Sequence, residues 1–420
     1  MQPQYVADSF GEVAGVLNAH WAQVQESAKL NSWQLRTLHA VRRCRTAALG
    51  AHVDGCTDCG HIRISYNSCR NRHCPKCQGV QREQWIQARE QELLPVPYFH
   101  VVFTLPDTLN PLCLHKDKEI YNILFQTAWK VLNTFGWDHQ WLGAPSGMIA
   151  ILHTWGQTLS LHPHLHCIVP GGGLTKHGRW KTAKTNGKYL FSVKAMSKVF
   201  RGKFIALLKE RLPEEMHMQL VNELYKKNWV VFAKRPFNGP QSVIEYLGRY
   251  THKIAISNHR IKNIEDGKVS FTYKDYRVAA ITKEMTLDAL EFIRRFAMHI
   301  LPKGFVRIRH YGIVSSTSKS ACALSIKAQL PPMPEVKKTK SKPEVFNYKQ
   351  CPCCKKDTML TLLRFNRRGP PADWKDMSKN ILECLVKKLL HRQCGGAMQA
   401  SFKKHHKRSK ALKEFIKDCR

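Results

Sequence analysis

The sequence predicts an α+β fold preceded by an amino-terminal metal-binding module. Three observations carry this. Six cysteines crowd into residues 44–77, and four of them form two Cys-x2-Cys pairs. Between residues 98 and 299, short β-branched and aromatic runs alternate with stretches of helical periodicity. A stretch rich in proline and lysine then sets off the rest of the chain.

Taken in order, residues 1 to about 43 read as helical, with Val13, Leu17, Val24 and Leu30 as apolar positions and no proline after Pro3. A polar helix is expected from Val80 to Leu94, closed by Pro95 and Pro97, which mark the first domain boundary. Tyr98–Leu105 is a β-rich run ended by Pro106. Residues 117–135 place Ile120, Ile123, Leu124, Ala128, Val131 and Leu132 at helical spacing. Met148–Trp155 and Leu165–Val169 are short apolar strands, the second broken by Pro170-Gly171-Gly172-Gly173. A helix over 194–211 and a strand over Trp229–Phe232 follow. Gly239-Pro240 opens another helix, with proline at a position where its missing N–H costs nothing. Asp266-Gly267 favours a tight hairpin, and Met285–His299 reads as a last helix. After about residue 315, Pro331, Pro332, Pro334 and Pro343 sit among KKTKSK as a linker. The expected domains are thus 1–95, 96–315 and 316–420, the last a basic linker with a tail or small cysteine-containing module. No internal repeat of fixed period is present.

The chain has 420 residues with 67 Lys+Arg against 31 Asp+Glu, a formal net charge of +36. At 43% hydrophobic it can bury a sizeable core, which excludes a wholly disordered basic tail. No apolar run approaches the ~18–20 residues that span a bilayer, and MQPQYVADSF lacks the regions of a signal peptide. The expected location is the cytoplasm, where cysteines stay reduced. The charge fits either nucleic acid or a membrane surface. The absence of a basic amphipathic helix with a strong apolar face and of a lipidation signal favours nucleic acid over a membrane.

Cys56-x2-Cys59 and Cys74-x2-Cys77, 14 residues apart, match a tetrahedral zinc site, since each turn aims two thiolates at one point. Such a closed site leaves no open position, so the zinc is structural. A disulfide pair is the alternative, disfavoured by the reducing compartment. Cys44, His52, Cys69 and His73 form a second candidate set, or are ordinary buried cysteines and solvated histidines. The basic residues here, among them Arg70, Arg72 and Lys76, suit phosphate contact. At the other end, Cys351-x2-Cys354 with the distant His391-x2-Cys394 could make another zinc site, or these are unpaired thiols in a basic tail.

Leu161-His-Pro-His-Leu-His-Cys-Ile-Val-Pro170 is the most informative stretch. Side chains alternate along a strand, so His164 and His166 share one face while Leu165, Cys167 and Val169 share the other. Two adjacent imidazoles on an apolar strand need partners, and a divalent ion answers both. Gln157 could offer a carbonyl oxygen as the third ligand, with His153 and His162 as rivals. On the helix after Pro240, Tyr246 and Tyr250 stand four residues apart and share a face. That spacing alone describes a core aromatic stripe. The neighbours Arg249, His252 and Lys253 argue instead for phenols that meet phosphate.

With YNSCRNRHCPKCQ, LHPHLHCIVPGGG, YLGRYTHKIAISN and LPKGFVRIRHYG in this order, the chain closely resembles the two-tyrosine HUH rolling-circle transposases of the IS91 family over about residues 10–315. The resemblance implies an HUH endonuclease domain with a central antiparallel sheet flanked by helices, preceded by a zinc-binding DNA-recognition module. It implies Mg²⁺ or Mn²⁺ on His164, His166 and a third residue such as Gln157. It implies that Tyr246 and Tyr250 attack single-stranded DNA at element ends and target, leaving 5′-phosphotyrosine and a free 3′-hydroxyl. Arg249, His252 and Lys253 would contact the DNA. No GxxxxGK[ST] loop is present, so unwinding would fall to host replication or helicase proteins. A rolling-circle replication initiator or relaxase, and a zinc DNA-binding regulator without catalysis, remain as alternatives. The regulator leaves the histidine and tyrosine pairs as coincidences.

Overall fold

A computed structural model describes residues 11–27, 29–78, 93–184, 190–237, 243, 254–276, 278–330, 347–367 and 371–393. The chain forms two compact units, Met1–Arg42 with Asn71–Val336, and Arg43–Arg70 with Lys337–Arg420. The expected boundaries at 95 and 315 do not divide it in this way, because a carboxyl-terminal strand pairs with an amino-terminal one. No helix among the described residues is long and apolar enough to cross a membrane.

In the first unit, the amino-terminal stretch expected to be helical forms, among its described residues, α1 (Val13–Ala19), α2 (Trp21–Ser27) and α3 (Ser32–Arg42). Asn31 and Gln34 make a reciprocal cap at the start of α3. The Gln34 N–H donates to Asn31 Oδ1 at 2.9 Å and the Asn31 N–H to Gln34 Oε1 at 3.0 Å. The polar helix expected over Val80–Leu94 lies largely outside the described residues.

The centre is a five-stranded antiparallel sheet. Numbering β1 (Ala51–Cys56) and β2 (Ile62–Tyr66) of the second unit first, its strands include β3 (Tyr98–Thr104), β4 (Gly147–Trp155) and β5 (Leu161–Pro170). Two short strands, β6 (Gly172–Leu174) and β7 (Trp180–Thr182), pair with each other. The sheet order is completed by β8 (Val230–Phe237) and β12 (Ile308–Gly312), giving β12-β4-β5-β3-β8. The strands form because apolar residues occupy both parities. Phe99, Val101 and Phe103 of β3, Met148, Ala150 and Leu152 of β4, and Leu165, Cys167 and Val169 of β5 belong to one large core cluster. Helices α5 (Asp117–Trp137) and α6 (Val193–Arg211) add Ile120, Leu124, Ala128, Val131, Phe200 and Phe204 to that cluster. Each such large side chain contributes about 1.5–3 kcal/mol on burial. A short α4 (Asn110–His115) precedes α5, and α7 (Met218–Lys226) follows α6. The opposite parity carries Tyr98, Ile149, Ile151 and Ile168, which cluster with Val243, Ile313 and Ile326.

A second sheet joins β9 (Ile261–Glu265), β10 (Lys268–Asp275) and β11 (Ile281–Asp288). Asp266 and Gly267 turn the first hairpin with φ of 49° and 71°, the left-handed pair a two-residue turn demands. The helix expected from Met285 begins only at Ala289, as α8 (Ala289–Met298). Met285 and Leu287 are held in strand pairing opposite Phe271 and Val269, which overrides their helical spacing. Phe292 of α8 then packs on Phe271, ring centroids 5.8 Å apart. The unit's last described helix is α9 (Lys319–Lys327).

In the second unit, β13 (Met359–Phe365) pairs antiparallel with β1, and β1 with β2. Helix α10 (Trp374–Gln393) follows. Of the two expectations for residues 316–420, a tail or a small cysteine-containing module, the strand fits the second.

Candidate metal centres

The histidines meet because of sheet register. Across β4 and β5, His153 stands opposite His164 and Ile151 opposite His166. All three imidazoles thus share one face, and Leu165, Cys167 and Val169 occupy the other. Their ligand nitrogens all lie within 4.8 Å of one another. His153 and His166 are buried and His164 is half-buried, so the set opens to solvent at His164. His164 Nδ1 lies 2.6 Å from the His162 carbonyl oxygen. A carbonyl only accepts, so Nδ1 carries the proton and Nε2 keeps its lone pair.

Gln157, expected as the third ligand, lies past the end of β4 and is engaged elsewhere. Its side-chain oxygen accepts from the Lys274 N–H at 3.4 Å, and its carbonyl accepts from Arg260 at 2.6 Å. The bulge between His153 and Trp155 ends the regular pairing before Gln157 is reached. Strand register instead brings His153 against His164 and His166. His162, the other rival, has its ring centroid 5.2 Å from that of His164.

One participant escaped sequence reasoning. His100 of β3 stacks on His166, with Nε2 to Nδ1 at 2.9 Å. Burial, then the charge of Lys234, pushes its pKa down to about 3. The signal was a lone histidine in the apolar run Tyr98–Thr104, on the parity that faces His166.

Behind this face, His299 is fully buried between Thr154 Oγ1 at 3.1 Å and the Leu159 carbonyl at 3.1 Å. Burial lowers its pKa to about 4. The unfolded chain therefore takes up the proton first, near pH 6.5. The contribution of His299 to stability is complete above that pH and declines as pH falls toward 4. It should be about 2 kcal/mol smaller at pH 5 than at pH 7. Urea unfolding at the two pH values should show that much less acid sensitivity in His299→Gln than in the unsubstituted protein. Equal sensitivity would contradict it.

Tyr246, Tyr250, Arg249, His252 and Lys253 lie outside the described residues. Val243, on the expected tyrosine helix, is described and buried.

In the second unit, Cys56 and Cys59 meet Cys351 and Cys354, not the expected Cys74 and Cys77. Cys56 Sγ is 3.7 Å from Cys354 Sγ, and Cys59 Sγ is 3.6 Å from Cys351 Sγ. A zinc tetrahedron with Zn–S of ~2.3 Å has edges of about 3.8 Å, whereas a disulfide needs about 2.0 Å. The spacing is that of a four-thiolate zinc site. Pairing of β1 with β13, Cys56 opposite Met359, brings the two Cys-x2-Cys turns together. Each turn ends in a left-handed residue, Gly60 (φ 73°) and Lys355 (φ 63°).

The expected second set divides. The Cys69 N–H donates to Cys44 Sγ at 3.4 Å. His52 instead pairs with Asp54, Nε2 to Oδ2 3.5 Å. His73 is buried, and burial followed by the charges of Arg72 and Arg307 lowers its pKa to about 3. Cys74 and Cys77 are buried in one tight turn, the Cys77 N–H donating to the Cys74 carbonyl at 3.2 Å. Two of the expected phosphate contacts are spent within the fold. Arg72 donates to the carbonyls of Phe305 at 2.5 Å and Pro302 at 3.1 Å, and Lys76 pairs with Glu12 at 2.6 Å. Arg70 is exposed.

Residues 16–105 match the family described as "Transposase zinc-binding domain", and residues 147–321 the family described as "Putative transposase". The chain is 40% identical to "Putative transposase y4qJ" of Sinorhizobium fredii, over 88% of this chain and 99% of the relative. It is 30% identical to "Transposase for insertion sequence element IS801" of Pseudomonas savastanoi pv. phaseolicola, over 71% of this chain and 74% of the relative.

The chain belongs to the IS91 family of rolling-circle transposases.

No solved structure matches it. In this IS91-family transposase, the zinc-binding match covers Cys44 through Cys77. Cys351 and Cys354 lie beyond both matched segments, yet complete the set begun by Cys56 and Cys59. The transposase match spans His153, His164 and His166 and the positions of Tyr246 and Tyr250.

Proposed function

We propose that this transposase is an HUH endonuclease and strand transferase, which cuts and rejoins single-stranded DNA at element ends and target through 5′-phosphotyrosine intermediates. The observation that carries the reading is the imidazole set on one sheet face with Val243 buried on that same face. Val243 clusters with Ile151 and Ile168, and Ile151 stands opposite His166. Tyr246 follows Val243 by three residues.

The donors fit a divalent ion, since three imidazole nitrogens converge and the His164 tautomer leaves a lone pair inward. An all-nitrogen set favours Mn²⁺ over Mg²⁺. A bound ion would supply positive charge to the scissile phosphate and to the departing 3′-oxygen. His100, hydrogen-bonded to His166 Nδ1, orients that ring so that Nε2 faces inward.

The phenol oxygen of Tyr246 or Tyr250 attacks phosphorus. The new bond is Oη–P and the broken bond is P–O3′. The phenol gives up one proton and the 3′-oxygen gains one. One phosphodiester replaces another, so the reverse attack rejoins strands without a nucleotide cofactor. Two tyrosines let one chain hold an end while cutting another strand. Arg249, His252 and Lys253 contact the phosphates around them. Unwinding comes from host replication or helicase proteins, and the protein works among nucleoid DNA in the cytoplasm.

Structural zinc is held by Cys56, Cys59, Cys351 and Cys354.

Incubation with two single-stranded oligonucleotides, one ending in the element terminus and labelled, with Mn²⁺ and no ATP, tests this reading. A labelled product of new length, formed by joining the two, is expected. Only hydrolysed product, or joining that needs ATP, would refute it.

A further inference from the structure

We infer that the second unit carries a binding site of its own for single-stranded DNA, a cleft of about 800 Å³ lined by Arg45, His52, Ser65, Tyr66, Asn67, Ser68 and Arg70. The inference rests on the transposase acting on single strands, and it assigns a holding surface rather than a reacting one.

The construction of the cleft is specific. Arg45 directly follows Cys44, and Arg70 directly follows Cys69. Both arginines adopt left-handed backbone, φ 58° and 52°. That conformation is costly for a residue with a Cβ, and glycine or asparagine would adopt it more cheaply. Two arginines held in it at the rim of one cleft point to a use for their charge. Their segments are tied together. The Arg45 N–H donates to the Asn67 carbonyl at 3.1 Å, the Asn67 N–H to the Gly50 carbonyl at 2.9 Å, and the Cys69 N–H to Cys44 Sγ at 3.4 Å.

The lining suits a nucleotide. Both arginines are exposed, and the Tyr66 side chain is 41% exposed. His52 is held by Asp54, whose carboxylate is turned inward and also accepts from Arg63 at 3.4 Å and Thr361 at 2.9 Å. The described residues of the lining therefore hold no carboxylate to repel phosphate. Guanidiniums take phosphate oxygens, an exposed phenol ring offers a stacking face, and Ser65, Asn67 and Ser68 offer polar contacts to sugar and base edges. A duplex keeps its bases stacked on one another and cannot present a base face to Tyr66. The occupant is a single strand.

Fluorescence anisotropy on the full chain tests this, with a fluorescein-labelled oligothymidine of roughly 20 nucleotides and a duplex of equal length as probes. Arg45→Asn with Arg70→Asn keeps the left-handed backbone and removes both charges. It should weaken single-strand binding at least tenfold and make the salt slope shallower by about 1.4, at ~0.7 per phosphate contact. Arg45→Lys with Arg70→Lys should keep the slope. Tyr66→Leu should weaken the single strand about tenfold and leave the duplex unchanged. The inference is overturned if the Asn variant binds within twofold of the unsubstituted protein. It is overturned equally if the Lys variant loses slope as the Asn variant does, or if Tyr66→Leu weakens both probes alike. A protein that binds through the cleft yet forms no tyrosine adduct would defeat the cleavage reading and leave this one standing.

Discussion

Changing Cys351 and Cys354 together to serine should remove one zinc ion per chain and unfold the β13-β1-β2 sheet. The four Sγ atoms of Cys56, Cys59, Cys351 and Cys354 converge within 4.8 Å. The apolar cluster beside them is small, comprising Cys56, Cys351 and Met359 with Cys354 against it. Ala51, Val53, Leu363 and Leu382 are also buried in this unit, but a structural zinc ion contributes about 10–16 kcal/mol in small zinc-dependent folds, more than burial of these few side chains. Zinc measured by atomic emission should fall by one equivalent, and limited proteolysis should cut within 43–70. Cys353→Ser is the control, because Cys353 is exposed and lies outside the set. An unchanged zinc content in the double variant would reject the assignment.

The second large effect separates two candidates for one position. On the proposed reading His153 holds the ion, so His153→Ala should lower the rate of strand cleavage about a thousandfold, the loss of several kcal/mol of transition-state stabilisation. Gln157→Ala should stay within a few-fold, because the Gln157 side chain bonds the Lys274 backbone rather than facing the histidines. Single-turnover cleavage of a labelled single strand across a Mn²⁺ titration reads both. His153→Ala should also lose the dependence on Mn²⁺. A Gln157 variant as impaired as His153→Ala would reverse the assignment.

Much of the fold was legible because its elements are strongly patterned. The apolar runs at Tyr98, Met148 and Leu165 became the central strands, and the periodic stretches at 117–135 and 194–211 became α5 and α6. The face shared by His164 and His166 followed from parity alone. What failed was information held in register between distant segments. Nothing in Cys56-x2-Cys59 says whether its partner is 15 or nearly 300 residues away, and the nearer Cys-x2-Cys was chosen. The strand Met359–Phe365 was missed because basic and proline-rich neighbours read as a linker. His153 and Gln157 are both close to His164 in sequence, and only the opposition of His153 to His164 across β4 and β5 separates them. His100 needed a third strand, β3, to be placed beside β5. Arg72 and Lys76 looked like phosphate ligands because the sequence does not reveal a carbonyl or a carboxylate brought near by the fold.

On the proposed reading, tyrosine carries the DNA. A labelled single strand from the element end, incubated with the protein and Mn²⁺, should give a covalent adduct on a denaturing gel. Mass spectrometry of the digested adduct should place the 5′-phosphate on Tyr246 or Tyr250, and Tyr246→Phe with Tyr250→Phe should abolish it. An adduct that persists in the double variant, or that maps to any other residue, would contradict the account.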